Sequence, residues 1–179
     1  MTKDEFIETV AALCEPLALS IPNSCTIAQA ALESGYGASG LTQKANNLFG
    51  IKAGSTWKGS TYSCLTKEVV NGTTITQTAT FRKYDSWGLS IIDHDDFLRK
   101  NARYAKVLQA ETGEAAADAL QAAGYATDPN YAAKLKNIIA LYDLHRFDAA
   151  QQPAPYTKNV EVLARPGETI TITVRVTQN

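Results

Sequence analysis

Apolar residues recur every three or four positions along the first part of the chain, which is the spacing of an amphipathic helix. The first such stretch covers residues 2–19, and a second helix is predicted over residues 26–33 with Asn23 or Ser24 as its N-cap. The apolar positions of the second helix are mostly alanine, and small side chains let neighbouring helices approach closely. This helix is therefore predicted to lie in the centre of the fold.

The pattern changes at about residue 61, where β-branched residues become frequent on both sides of Asn71-Gly72. The flanking stretches are TYSCLTKEVV and TTITQTATFRKY. An Asn-Gly pair between two such stretches is typical of a two-residue β-hairpin turn. A short helical segment or loop, LTQKANNLFGIKAG, precedes this predicted hairpin.

Helical spacing returns after the hairpin. A helix capped by Asp85 or Ser86 is followed by predicted helices over residues 102–110 and 113–123, the last ended by Gly124. Together with the inserted hairpin, these helices predict an α+β fold that is mostly helical.

Asp128-Pro129 predicts the start of one more helix, since aspartate favours the N-cap and proline the first turn. This helix is expected to run to about residue 147. Its buried face is predicted to carry Leu135, Ile138, Ile139, Tyr142 and, at its end, His145.

The composition shifts after residue 148. We expect a main domain over residues 1–148, a linker over 149–159 and a β-hairpin extension over 160–179. An isolated two-stranded hairpin is only marginally stable in water. The extension is therefore expected to pair with the main domain, a second copy of the chain or a partner in a larger assembly.

Composition excludes several classes of function. The chain has 179 residues, 45% hydrophobic and 20% charged, with a formal net charge of -1, so it has no global basic field for nucleic acid. No apolar run is long enough to insert into a membrane. The N-terminal stretch has no basic segment followed by an apolar run, which predicts the absence of a secretory signal.

The cysteines and histidines predict no metal site and no cofactor. Cys14, Cys25 and Cys64 are odd in number and lack metal-type spacing, so buried free thiols are expected, although a Cys14–Cys25 pair stays open. His94 and His145 are the two histidines of the sequence, too few for a histidine-rich site.

Glu33 is the most informative residue of the pattern, because it lies where the second helix ends. The C-terminus of a helix carries partial negative charge, so an acid there does not help local stability. Burial and the helix dipole would both raise the pKa of the carboxyl group, and a carboxyl protonated near neutral pH can act as a general acid. The alternative is a solvated acid at a frayed helix end.

Glu68 lies in the predicted hairpin, where glutamate is a poor strand former and is by default an exposed side chain. Two carboxyl groups would nonetheless suit glycoside hydrolysis, in which one acid protonates the leaving oxygen and the other guides water or stabilises charge.

Several aromatic residues are candidates for binding a sugar, because a tyrosine or tryptophan offers both a stacking face and a polar group. Tyr125 and Tyr131 flank the start of the last predicted helix, and Tyr36, Trp57 and Tyr84 are further candidates. By default such rings belong to the core.

Five segments, in this order, carry a family resemblance: AQAALESGYG, NNLFGIKA, WKG, FRKYDS and AGYATDPNYAAKL. Together they resemble the bacterial peptidoglycan endo-β-N-acetylglucosaminidases of glycoside hydrolase family 73. That family includes flagellar peptidoglycan hydrolases, autolysins and phage lysins. The resemblance covers residues 3–147.

The resemblance implies a lysozyme-like helical lobe, a small β-lobe and a groove for a glycan strand between them. It implies hydrolysis of the β-1,4 bond between N-acetylglucosamine and N-acetylmuramic acid, with Glu33 as general acid and Glu68 as second acid. The family's assisting tyrosine falls on Tyr125 or Tyr131, and we assign it to Tyr131. The glycines after Glu33 are expected to leave room for the sugar.

Two mechanisms remain open at this point. Glu68 could activate a water, with inversion at the sugar, or the N-acetyl oxygen of the substrate could attack with tyrosine help, with retention. The alternatives on the same fold are a muramidase, a lytic transglycosylase or a catalytically silent glycan-binding module. Action on the bacterial cell wall is expected, after phage-type release or delivery by an assembly.

Overall fold

The computed structural model describes residues 1–70, 73–148, 157–165 and 168–175, with side chains described through residue 148 except for 67–75. The helices are α1 Lys3–Cys14, α2 Asn23–Ser34, α3 Gly40–Ala45, α4 Trp87–Lys100, α5 Gly113–Ala122 and α6 Tyr131–Leu141, with 3₁₀ turns at Ala102–Tyr104 and Leu144–Phe147. The strands are β1 Thr61–Val70, β2 Thr73–Arg82, β3 Thr157–Arg165 and β4 Glu168–Arg175. The predicted α+β class is confirmed.

Helix α2 forms the centre of the helical lobe, as its small residues predict. It contacts α1, α5, α6 and the 3₁₀ turn at Leu144–Phe147. Its Ile27, Ala30 and Ala31 are fully buried, which shows that alanine allows close packing here. No helix of the described ranges has the length and apolarity needed to cross a membrane.

The start of α2 differs from its prediction. The helix begins at Asn23, with Pro22 at the N-cap and no side-chain cap. The predicted cap Ser24 instead lies in the first turn, where its backbone N–H donates to Asp148 Oδ1 at 2.8 Å. One of the free N–H groups at this helix end is thus satisfied by a residue far along the chain, which a local sequence pattern does not reveal.

Two other helix predictions are partly wrong. Helix α1 ends at Cys14 rather than at residue 19, and residues 102–110 form a 3₁₀ turn and further turns rather than a helix. Turns in this segment close through short-range bonds, such as Val107 N–H to the Tyr104 carbonyl at 2.9 Å. Ser86 does cap α4, since its hydroxyl accepts from Leu89 N–H.

Helix α6 is shorter than predicted. It begins at Tyr131 with Asn130 at the N-cap, while the Asp128 carboxylate accepts from Asn130 N–H at 2.9 Å. Asp143 adopts a positive φ of 48° and breaks the helical period. The predicted burial of His145 is therefore wrong: its side chain is half-exposed and lies 2.8 Å from Glu114.

The rest of the buried face predicted for α6 is confirmed. Leu135, Ile138 and Ile139 are buried, and Tyr142 is partly buried. Cys14 and Cys25 are buried free thiols, as expected, whereas Cys64 is a free thiol that is partly exposed, contrary to the expected burial. Burial raises the pKa of the Cys14 thiol to about 12.

Strands β1 and β2 form the predicted antiparallel hairpin, in register from Thr61 opposite Arg82 to Val70 opposite Thr73. The predicted Asn71-Gly72 turn lies outside the described residues. Arg82 joins the base of the hairpin to α4, because its guanidinium donates to both oxygens of Asp93 at 2.8–2.9 Å. Tyr84 donates to the same carboxylate at 2.7 Å.

Strands β3 and β4 form the second antiparallel hairpin, with a register irregularity between Leu163 and Arg165. Strand β3 begins at Thr157, inside the stretch predicted as linker. The division into a main domain, a linker and an extension stays a prediction, as does pairing of the extension with another molecule.

Gly113 is expected to be required for the packing of α5 against α2. A Cβ at this position would overlap Ser24 Oγ and lie 3.0 Å from Ile139 Cδ1 and 3.2 Å from Ser24 Cβ. Gly113→Ala should therefore lower the free energy of unfolding by about 1–3 kcal/mol, the usual cost of overpacking. Denaturant unfolding measures this difference.

Gly40 provides the matched control, since it is also the first residue of a helix and a Cβ there meets no atom within 4 Å. Gly40→Ala should be neutral or stabilising by up to about 1 kcal/mol. Equal effects of the two substitutions would show that the close approach at Gly113 relaxes without cost.

Candidate active site

Glu33 lies in the last turn of α2, where the helix is closed by its own following residues. The Ser34 hydroxyl donates to the Ala30 carbonyl at 2.6 Å and accepts from Gly37 N–H at 2.8 Å. Gly35 then adopts a left-handed φ of 58°, which glycine reaches at little cost. These contacts fix the turn that follows α2, and this turn holds the backbone of Glu33 in place.

The glycines after Glu33 form the turn that ends α2, and the expectation that they leave room for a sugar stays a prediction. Gly35, Tyr36 and Gly37 all have positive φ, and a Cβ on Gly37 would lie 3.0 Å from the Phe6 ring. Neither Gly35 nor Gly37 lines the cavity at Glu33. Both glycines shape the turn, and Gly37 also lies close to Phe6 of α1, while Gly50 is the glycine on the cavity wall.

An open cavity of about 360 Å³ contains Glu33. Its other lining residues are Phe49, Gly50, Ile51, Lys52, Phe97, Tyr104, Tyr125 and Ala126. One wall is thus the loop that precedes β1, and the other comes from α4 and the segments that follow it. Aromatic walls around an acid suit a sugar ring, which offers apolar faces and polar edges.

The environment of Glu33 raises the pKa of its carboxyl group above the ordinary value of 4.5. The side chain remains accessible to solvent through the open side of the cavity. The protein packed on its other sides removes part of its hydration, and this raises the pKa, while a hydrogen bond from Tyr131 opposes the shift by stabilising the carboxylate. Glu33 is therefore both reachable by a ligand and inclined to keep its proton.

Tyr131, the first residue of α6, is buried and contacts Glu33 directly. Its hydroxyl donates to Glu33 Oε1 at 2.8 Å and accepts from Gln29 Nε2 at 3.0 Å. Burial is the main cause that raises the pKa of the Tyr131 hydroxyl, so it stays neutral and keeps its proton. The structure thus brings together Glu33 and Tyr131, two residues that the sequence singles out.

A cluster of aromatic rings supports the cavity. Tyr125 stacks on Tyr131 with ring centroids 5.7 Å apart, and its ring centroid lies 5.9 Å from that of Tyr104 and 6.1 Å from that of His94. His94 stacks on Phe49 at 3.9 Å and 12°. Burial lowers the pKa of His94 to about 3, so this imidazole is neutral and acts as an aromatic ring in the cluster.

The asparagines of the NNLFGIKA segment hold in place the cavity wall that precedes β1. The Asn47 amide donates to the carbonyls of Ile51 and Arg82 at 3.0 and 2.8 Å, and its side-chain oxygen accepts from Ile51 N–H at 3.1 Å. Asn46 closes α3 in the left-handed region with φ 51°. These bonds fix the wall formed by Phe49, Gly50, Ile51 and Lys52 to the base of the hairpin.

Sequence reasoning missed part of this site. Gln29, Phe49, Lys52, Phe97 and Tyr104 were not singled out as site residues. The spacing of four between Gln29 and Glu33 could have pointed to Gln29, because residues four apart share one face of a helix. The NNLFGIKA segment was noted for family resemblance, but it gave no indication that its Phe49 and Lys52 line the cavity.

Tyr36 lies outside the cavity at Glu33, among the core residues near the N-terminus. Its ring contacts Phe6 at 6.1 Å and Tyr142 at 5.9 Å, and the Lys3 ammonium lies 4.7 Å from its centroid. A role of Tyr36 in binding a sugar stays a prediction.

Trp57 and Tyr84 line a second cavity, of about 410 Å³, on the side of the hairpin base where Leu89 and Ile92 lie. The two rings meet edge to face at 5.9 Å, and the Arg82 guanidinium lies 4.7 Å from the Trp57 ring. Neither residue lines the cavity that contains Glu33. Sugar binding by these two rings stays a prediction.

Glu68 belongs to β1, where its backbone is opposite Ile75 in the hairpin register. Its side chain lies outside the described part, so its partnership with Glu33 stays a prediction. Within the described ranges, no three histidine, cysteine, aspartate or glutamate side chains gather in a way that could hold a metal ion. The chemistry available at the described site is proton transfer from Glu33 to a ligand beside aromatic walls.

Comparison with known proteins identifies a family that matches most of the chain. Residues 11–144 match the Glucosaminidase family, described as mannosyl-glycoprotein endo-beta-N-acetylglucosaminidase. The matched segment includes Glu33, Glu68 and Tyr131 as well as the described cavity.

Similar proteins include two named bacterial enzymes. The chain is 44% identical over 123 residues to peptidoglycan hydrolase FlgJ of Escherichia coli, which covers 66% of this chain and 39% of that protein. It is 44% identical over 146 residues to exo-glucosaminidase LytG of Bacillus subtilis, covering 79% of this chain and 50% of that protein. The chain therefore spans half or less of these relatives.

Among solved structures, the C-terminally truncated glycoside hydrolase domain of Salmonella typhimurium FlgJ is similar over most of its length. It superimposes with a TM-score of 0.65 at 38% sequence identity, covering 79% of this chain and 98% of that one. Most of this chain thus has a fold similar to that of a glycoside hydrolase domain.

Proposed function

The chain belongs to the glucosaminidase family, glycoside hydrolase family 73, and from this premise we propose that it hydrolyses the glycan strands of peptidoglycan. The observation that carries the proposal is the pairing of Glu33 with Tyr131 in an open, aromatic-walled cavity. The names of the relatives FlgJ and LytG support peptidoglycan and glucosaminide as the substrate class.

The bond we assign is the β-1,4 linkage between N-acetylglucosamine and N-acetylmuramic acid. Glu33 serves as the general acid that gives its proton to the departing glycosidic oxygen. Its raised pKa supports this role, because the acid must be protonated when substrate binds. Tyr131 orients the carboxyl group through Oε1 and provides a neutral hydroxyl close to the reacting bond.

Glu68 is the second acid of this proposal. In the inverting version it activates a water on the other face of the sugar, and in the substrate-assisted version the N-acetyl oxygen attacks while Tyr131 assists. The hairpin that carries Glu68 joins the helical lobe at Arg82 and Tyr84, through Asp93. Motion of the hairpin about this base would move Glu68 relative to Glu33.

The partner of the enzyme in this proposal is the glycan strand, and its place of action is the bacterial cell wall. The C-terminal hairpin, β3 and β4, serves in the proposal as the attachment point for a second copy or a larger assembly. Light scattering with and without residues 150–179 tests attachment, and an unchanged mass with unchanged partner binding would exclude it.

Analysis of the products released from purified peptidoglycan tests the reaction. We expect soluble fragments that end in reducing N-acetylglucosamine, identified by mass spectrometry after borohydride reduction. Reducing N-acetylmuramic acid would instead indicate a muramidase, and anhydromuramic ends would indicate a lytic transglycosylase. Absence of any release by folded protein would leave a glycan-binding module.

A further inference from the structure

We infer that Gln29 is a positioning residue, which acts through the Tyr131 hydroxyl to fix which oxygen of Glu33 accepts a hydrogen bond and which one faces the substrate. This inference rests on the proposed function, in which Glu33 is the acid. Gln29 itself is fully buried and lies outside the set of residues that line the cavity.

A chain of two hydrogen bonds joins Gln29 to Glu33. Gln29 Nε2 donates to the Tyr131 hydroxyl at 3.0 Å, and that hydroxyl donates to Glu33 Oε1 at 2.8 Å. The hydroxyl of a tyrosine has one proton to donate. Because the Tyr131 oxygen accepts from Gln29, its single proton is directed to Glu33.

The direction of this chain determines where the proton of Glu33 resides. A proton on Oε1 would face the proton of Tyr131, so the carboxylic acid keeps its proton on Oε2. Among the described residues, Oε2 has no hydrogen-bond partner, whereas Oε1 is occupied. The oxygen that carries the transferable proton is thus the one left available to a ligand in the cavity.

The position of Gln29 on α2 makes this arrangement rigid. Gln29 and Glu33 are four residues apart, on one face of the helix, and Tyr131 bridges them from α6. The Tyr131 ring is stacked on Tyr125 at 5.7 Å and 21°, which restricts its rotation. The side chains of Gln29 and Tyr131 therefore cannot easily rotate out of this hydrogen-bonded arrangement.

Packing alone does not explain an amide at position 29. Gln29 Oε1 is buried and has no hydrogen-bond partner among the described residues, which lowers stability. An apolar side chain of similar length would fill the space without this cost. The opposite orientation of the amide would present an acceptor to Tyr131 and draw the hydroxyl proton away from Glu33.

The other ionisable groups near Glu33 are unchanged in the variants of Gln29 and Tyr131 that test this inference. Lys52, Tyr104 and Tyr125 line the same cavity. Burial raises the pKa of Tyr125 far above its ordinary value, so it remains neutral. Lys52 is present in every variant. Differences in the Glu33 pKa between variants therefore report the hydrogen bonds that join Gln29 to Glu33 through Tyr131.

The test measures the pKa of Glu33 in the free protein by carbon-13 NMR of carboxyl-labelled glutamate. The samples are the wild type, Gln29→Met, Tyr131→Phe and the double variant. We expect Gln29→Met to raise the Glu33 pKa by about 0.5, because a hydroxyl that no longer accepts from a donor stabilises the carboxylate less. In the Tyr131→Phe background the same substitution should have no effect.

An unchanged Glu33 pKa in Gln29→Met, or an equal shift with and without the Tyr131 hydroxyl, would overturn the inference and leave Gln29 as a packing residue. Should Gln29→Met not fold, the side-chain amide of Gln29 in the wild type provides a second measurement. Its nitrogen-15 resonance should follow the titration of Glu33 and cease to do so in Tyr131→Phe. A wild-type amide insensitive to that titration would also overturn the inference.

These measurements require no substrate, so their outcome is separate from that of the proposed function. A wild-type protein without hydrolase activity would refute the proposed function even if the Glu33 pKa responds as expected. Where activity is present, the alkaline limit of the rate should move upward in Gln29→Met by the same amount as the pKa.

Discussion

Glu33→Gln is expected to reduce peptidoglycan hydrolysis by about 10²–10⁴-fold, the usual contribution of a general acid. Glutamine preserves the size of the side chain, and its oxygen can still accept from Tyr131. It has no proton to transfer to the glycosidic oxygen. The initial rate at which reducing ends appear in purified peptidoglycan measures the loss.

The pH dependence of the wild type should show the same group. The proposed reaction requires the protonated carboxyl, so the rate should fall as pH rises through the raised pKa of Glu33. Glu33→Gln should have a low residual rate without this alkaline limb. A limb at the same position in the variant would assign the titration to another residue.

Stability should not account for the lost activity. The unfolded chain releases the Glu33 proton at its ordinary pKa of 4.5, whereas the folded protein holds it to higher pH. Ionisation of Glu33 therefore lowers the free energy of unfolding above pH 4.5, and the deficit is complete above the folded pKa. Because glutamine removes this deficit, Glu33→Gln should unfold at the same or a higher temperature than the wild type at neutral pH.

Glu111→Gln provides the control for this experiment. Glu111 is an exposed glutamate in the loop before α5, and it does not line the described cavity. Its substitution makes the same chemical change and should leave the rate unaltered. Turnover of Glu33→Gln at the level of Glu111→Gln would refute the assignment of Glu33 as the acid.

Sequence patterns predicted the parts of this fold that depend on residues close together in the chain. The β1–β2 hairpin follows from β-branched stretches on both sides of Asn71-Gly72, and the central place of α2 follows from its alanines. Glu33 could be identified in the same way, because an acid at a helix end has a local cost. Each of these inferences needs only the periodicity and chemistry of neighbouring residues.

The remaining features depend on residues that are distant in sequence. The N-terminus of α2 is bonded by Asp148, and the hydroxyl that contacts Glu33 belongs to Tyr131, 98 residues away. Local patterns predicted caps within a few residues, and so they placed the starts of α2 and α6 incorrectly. Helix α6 also ends earlier than its pattern predicted, at Leu141, and Asp143 then adopts a positive φ before His145.

Aromatic residues show the same limit at the site. Tyr36, Trp57, Tyr84 and Tyr125 have similar chemistry, yet the structure places only Tyr125 on the cavity that contains Glu33. The direction of a ring depends on the elements that pack around it, such as Phe6 beside Tyr36 and Arg82 beside Trp57. Residue type therefore identified sugar-binding candidates but did not indicate where their rings would lie.

Asp93→Ala is expected to lower the free energy of unfolding by about 2–3 kcal/mol, because it removes the acceptor shared by Arg82 and Tyr84. The Arg82 side chain is 17% exposed, so its charge would lose a partner with little water to replace it. Arg82 N–H also donates to the Ile51 carbonyl at 3.0 Å. Loosening Arg82 should therefore disturb the cavity wall and lower the rate of hydrolysis as well.

Asp96→Ala is the matched control, since Asp96 lies one turn further along α4 and also forms ion pairs. Its partners, Arg99 and Lys100, are on the same helix and more than half exposed, so the loss should be within about 0.5 kcal/mol. Denaturant unfolding of both variants, with the initial rate on peptidoglycan, separates the two sites. Equal stabilities would mean that Asp93 does not hold the hairpin to the helical lobe, and the hairpin base would then need another anchor.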